Sequence, residues 1–140
     1  MISLSNPLDQ PVRRWTLRRY GLLLGAALSA VGARYHIAVG TSKVLEPMHA
    51  TALPREVTTI IDLMWWQIAA LIVMGGVAMA VAAFRTEWRR PVAWLLGGHY
   101  LVISVICIAI SYSWFGTPLG LFQWVIFGSL GLLTIWAAWR

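Results

Sequence analysis

The chain has 140 residues, of which 59% are hydrophobic and only 11% charged, with a mean hydropathy of +0.72. Soluble domains carry roughly 25% charged residues, so the composition excludes an ordinary water-soluble domain. The net charge of +6 does not mark a nucleic-acid binder, because the basic residues flank apolar runs and form no patch on a polar domain. The lone cysteine, Cys107, excludes an intrachain disulfide and a cysteine-built metal cage.

In chain order, residues 1–19 are polar and basic, with the pairs Arg13–Arg14 and Arg18–Arg19. A first apolar run covers residues 20–40. Residues 13–33 also have the outline of a secretory signal, a basic start, an apolar stretch and small residues at Val31, Gly32 and Ala33. The expectation is that this segment is kept as a first helix. A polar connection follows over residues 41–58, then a second apolar run over 60–84. Residues 85–91 form a basic connection, and the third run covers 92–111. A tight turn over 112–118 leads to the fourth run, residues 119–139.

Each run has roughly 20 to 25 residues, which at 1.5 Å per residue crosses a hydrocarbon core of about 30 Å. Barrel strands would alternate apolar and polar residues, and these runs do not. The pattern predicts an all-α fold, an integral membrane four-helix bundle forming one domain over residues 1–140. Nine tryptophans and four tyrosines suit the bilayer–water interface.

Orientation follows from the cations. Arg13, Arg14, Arg18, Arg19, Arg85, Arg89, Arg90 and Arg140 fall on one side, against Lys43 and Arg55 on the other, with Arg34 near them. Cytoplasmic segments carry the excess of Lys and Arg. Both termini are therefore expected inside, in a bacterial cytoplasmic membrane.

In lipid, helices associate through close approach at small residues. The first helix offers Gly21, Gly25, Ser29 and then Gly32 or Ala33 on one face. The second offers Gly75 and Gly76, the third Gly97 and Gly98, and the fourth Gly128 and Gly131. At 100° per residue, His36 falls within about 20° of Gly25 and Ser29, so it continues this face. Arg34 falls about 180° from Gly25, facing lipid or an acidic group on a partner subunit.

Histidine can donate a hydrogen bond, ligate a metal or haem, or change charge near neutral pH. Two sets of residues follow. His36, His99, Tyr100 and Trp66 are the candidates for a redox, haem or quinone site. His36, His49 and Asp62 are the candidates for a metal site, although their spacing matches no ligand motif. Tyr100, Ser104, Cys107 and Ser111 make a mild polar stripe on the third helix, with Gln123 and Thr134 sharing a face of the fourth. Such a stripe either lines a narrow pocket or holds helix to helix by hydrogen bonds.

No catalytic arrangement stands out, and no cofactor is specified. The expected function is a non-catalytic accessory or assembly subunit of a larger membrane protein complex, partnered by lipid and other membrane subunits and not by nucleic acid. A haem-, quinone- or metal-binding protein is the first alternative. A small transporter is the second, weakened because mid-helix positions are largely apolar or glycine, where ion pathways need polar groups.

Overall fold

A computed structural model of the chain describes residues 11–139, with side chains from Leu17 onward. The side chains of Arg13 and Arg14, and all of Arg140, lie outside the described residues. Among the described residues the structure is helical, without strands. Helix α1, Pro11–Tyr35, runs without a break into a π-helical segment, His36–Leu45, and on into the single turn α2, Glu46–His49. Helix α3 is Arg55–Phe84 and α4 is Thr86–Phe115. A 3-10 turn, Pro118–Leu121, leads to α5, Gln123–Ala138.

Among the described residues, three stretches are long and apolar enough to cross a membrane: Leu17–His49, Arg55–Phe84 and Thr86–Phe115. The fourth expected span falls short. Helix α5 is apolar but has 16 residues, about 24 Å at 1.5 Å per residue, against a hydrocarbon core of about 30 Å. Its expected beginning is spent on the 3-10 turn, where Thr117 caps Leu119 N–H through its side-chain oxygen at 3.3 Å.

The connections are shorter than the polar residues implied. Of residues 41–58, only 50–54 leave the helix. Glu46 N–H donates to Thr41 O, so α1 is carried past Thr41, Ser42 and Lys43 without interruption. Of residues 85–91, only Arg85 is extended, at φ −112 and ψ 101, and Pro91 lies inside α4 at the cost of one bond to Glu87 O. Helix α4 continues to Phe115 and stops at Gly116. That residue has φ 66, the left-handed conformation that glycine adopts without strain, and its N–H donates to Tyr112 O at 3.0 Å. Polar side chains mark where a helix can leave hydrocarbon, and they do not end it.

The helices cluster into two compact units. The first comprises Met1–Gly25 with Met79–Arg140, and the second Ala26–Ala78. In the first unit α4 and α5 come together at two glycines. A Cβ added to Gly131 would lie 2.9 Å from Gly97 O and 2.9 Å from Leu101 Cγ, so only glycine permits this backbone approach. Below that contact Ser104 donates to Trp124 O at 2.8 Å. Ser111 donates to Thr117 O at 2.6 Å and accepts from Leu121 N–H at 3.0 Å. The polar stripe of α4 therefore ties helix to helix and helix to turn. Gly21 of α1 faces the Trp136 ring, Gly25 faces Met79 Sδ, and Leu22 and Met79 are fully buried. Gly98 meets nothing within 4 Å.

In the second unit Ser29 of α1 is fully buried opposite Gly76 of α3, where an added Cβ would stand 3.1 Å from Ser29 Cβ. Gly75 is buried beside it. Ala33 continues the small-residue face, while Gly32 is open.

The two glycines of α4 separate close approach from general flexibility. Gly131→Ala against Gly97 should cost about 1–3 kcal/mol by overpacking. Gly98→Ala should be neutral or stabilising by about 0.5–1 kcal/mol through helix propensity. Denaturant unfolding in detergent micelles measures both, and equal losses would remove the close-approach account.

Candidate functional site

The second unit holds an arrangement of polar and aromatic side chains built on the π-helical segment. An i→i+5 register is rare, is mostly confined to single-turn bulges, and concentrates at functional sites. Here it extends over ten residues. The segment closes around one indole of α3, that of Trp65. The His36 ring stacks on Trp65 with centroids 4.1 Å apart and planes at 21°. A Cβ on Gly40 would lie 2.8 Å from Trp65 Cζ2, so the missing side chain lets the ring rest against backbone. Thr41 Oγ1 accepts the Trp65 indole N–H at 3.2 Å. His36, Gly40 and Thr41 thus hold the ring from three sides of a single turn.

His36 Nε2 lies 3.1 Å from Trp65 O. A carbonyl only accepts, so Nε2 carries the hydrogen and Nδ1 keeps the lone pair of the neutral ring. That geometry fixes the tautomer and leaves one nitrogen to accept a hydrogen bond or bind a metal.

Beyond the π-helical segment, His49 Nε2 stands 2.7 Å from Asp62 Oδ1, joining the end of α2 to α3 across residues 50–54. The two side chains are 44% and 38% exposed. A pair this accessible contributes at most about 1 kcal/mol. It fastens a short loop.

The residues read from the sequence thus divide. Of the metal candidates, His49 and Asp62 meet, whereas His36 is turned to Trp65. Among the described residues no group of three or more His, Cys, Asp or Glu converges. Of the cofactor candidates, His36 and Trp66 belong to the second unit, His99 and Tyr100 to the first. Trp66 is exposed. Tyr100 is 2% exposed, with its ring 6.0 Å from that of Phe127. His99 is exposed, its ring 6.1 Å from Tyr100. Arg34 is exposed on α1.

Trp65, Gly40 and Thr41 were not singled out by the sequence reading. Adjacent tryptophans on a helix point about 100° apart, so Trp65 and Trp66 cannot both face α1. Only the register of the neighbouring helix chooses between them. The available signal was the placement of Gly40 and Thr41 one turn beyond His36. Compared with known protein families, curated proteins and solved structures, the chain matches none.

The His36–Trp65 contact is open to a double-mutant cycle. His36→Leu and Trp65→Leu, singly and together, should give a coupling energy of about 0.5–1.5 kcal/mol in the unfolding free energy, typical of stacked rings. Additive losses would show that the two rings sit side by side without acting on each other.

Proposed function

We propose that this chain is a non-catalytic subunit of a larger complex in the bacterial cytoplasmic membrane, with both termini on the cytoplasmic side. One observation carries the reading: Arg34 is exposed near the middle of the candidate span Leu17–His49. Val31, Tyr35 and Ile37 beside it are exposed as well, so its surroundings in a bilayer are apolar. A guanidinium at the centre of a span costs about 2.5–3.5 kcal/mol on insertion scales, reduced where the side chain reaches headgroups. An acidic group on a partner helix offsets that cost.

The polar side chains of the helices support the same reading. Ser104, Ser111, Thr134, His36 and Trp65 are engaged in bonds within this chain. They serve cohesion, which a scaffold needs and a reaction does not. Mild detergent extraction tests the proposal. The chain should migrate with a partner, and Arg34→Leu should release that partner without lowering the yield of folded chain. A chain that migrates alone under the mildest conditions overturns the reading.

A second reading rests on His36. Metal-bound histidines usually donate their other ring N–H to a carboxylate or backbone carbonyl, and His36 Nε2 is placed on Trp65 O in that manner. Nδ1 would then be the ligand atom for a haem or metal completed by groups from elsewhere. The absorption spectrum of the purified protein distinguishes this reading from the first. A Soret or metal-to-ligand band that vanishes in His36→Ala favours it, and a colourless, metal-free preparation ends it.

A further inference from the structure

Between Pro91 and Trp139 the sequence contains no Asp, Glu, Lys or Arg. That stretch covers most of α4, all of α5 and the turn joining them, within the first unit. The connection over residues 50–54 is different, being flanked by the exposed ionisable side chains of His49, Arg55 and Glu56. The α4–α5 turn instead presents Trp114, 81% exposed, with Phe115, Leu119 and Phe122 each more than half exposed. The exposed apolar side chains of Val105, Ile106 and Ile110 on α4 and of Val125 and Ile126 on α5 lead up to it.

Inside, the turn is bonded by its own chain. Gly116 N–H donates to Tyr112 O, Leu121 N–H to Ser111 Oγ and Val125 N–H to Phe122 O, each at 3.0 Å. Thr117 O accepts from Ser111 Oγ at 2.6 Å, and Pro118 O from the Trp124 indole N–H at 2.9 Å. Leu119 N–H has Thr117 Oγ1 as acceptor, and Pro118 has no N–H to satisfy. On the exposed side, Ser113 bonds back to Ala109 O at 2.9 Å. The Phe115 ring occupies the space that a side chain on Gly120 would need, so it closes over the backbone. A turn standing in water can leave such groups to the solvent. At membrane depth, irregular backbone must be satisfied by the protein itself.

Outward apolar side chains, inward bonds and the absence of charge all suit apolar surroundings. Continuity with the outer face of the candidate span Thr86–Phe115 makes lipid the occupant, and exposed Tyr112 and Trp114 suit the bilayer–water boundary. We infer that the α4–α5 turn is a lipid-docking element seated where acyl chains meet headgroups, with Trp114, Phe115, Leu119 and Phe122 against the acyl chains. The inference rests on α4 lying in a membrane and holds with or without a partner subunit.

The test uses the full chain with Cys107→Ser and a single new cysteine, Leu119→Cys, Val105→Cys or Ala52→Cys, carrying an NBD fluorophore. Each is reconstituted in phosphatidylcholine vesicles with or without bromine on the acyl chains. Bromine should quench the probe at position 119 nearly as well as that at 105, and iodide should barely reach it. The probe at position 52 should show the reverse and emit at longer wavelength. Trp114→Asp with Phe122→Asp, both exposed side chains, should shift the probe at 119 toward iodide, with far-UV circular dichroism confirming helix content. Iodide quenching at 119 equal to that at 52 overturns the inference by placing the turn in water. Protection from both quenchers overturns it too, because protein would then cover the turn. An unaltered depth in the double aspartate variant overturns the role given to these side chains. If the probe at 105 also escapes bromine, the membrane reading of α4 falls along with the inference.

Discussion

A polar group enclosed by apolar side chains has no water to turn to, and an unsatisfied donor or acceptor there costs several kcal/mol. In a chain that is 59% hydrophobic this constraint governs backbone and side chains alike. The backbone answers it with helices, which bond their own amides. The side chains answer it by bonding to the nearest carbonyl: Thr134 to Leu130 O one turn back, Ser104 to Trp124 O on the facing helix, and Ser111 to the turn that joins them. These three hydroxyls thereby become part of the scaffold, whereas the fully buried Ser29 Oγ opposite Gly76 makes no hydrogen bond among the described residues.

The same constraint shapes the π-helical segment. Trp65 brings a half-buried indole N–H against α1 in the second unit and finds an acceptor there. The segment His36–Leu45 supplies Thr41 Oγ1 and, by having glycine at position 40, makes room for the ring. His36 completes the enclosure by stacking on one face and bonding to the carbonyl of the same residue. The cations are treated differently. Arg34 on α1 and Arg85 and Arg90 at the start of α4 are exposed, outside the hydroxyl-to-carbonyl bonds that hold the helices.

Much of this was legible beforehand. The apolar runs announced long helices because an uninterrupted apolar stretch of that length admits no other backbone-satisfied structure in lipid. The stripe Gly21, Gly25, Ser29 announced a contact face, and the structure buries Ser29 and sets both glycines against large side chains. The connections were read too long. Thr41, Ser42, Lys43 and Glu46 are as compatible with helix as with loop, and Arg85 alone breaks the chain where seven residues seemed to. The fourth run was read too long for the opposite reason: residues 119–121 are apolar yet belong to a 3-10 turn seeded by Pro118.

What the sequence by itself determined is the material: helices, their apolar character, and a surplus of arginine concentrated beside particular runs. These depend on composition and local spacing, which need no knowledge of neighbours. Tertiary structure alone decided which of two adjacent tryptophans turns inward, which of two adjacent glycines is crowded, and that His49 meets Asp62 while His36 does not. Those outcomes depend on the register between helices far apart in the chain. A shift of one residue rotates a side chain by about 100°, and no local pattern carries that information.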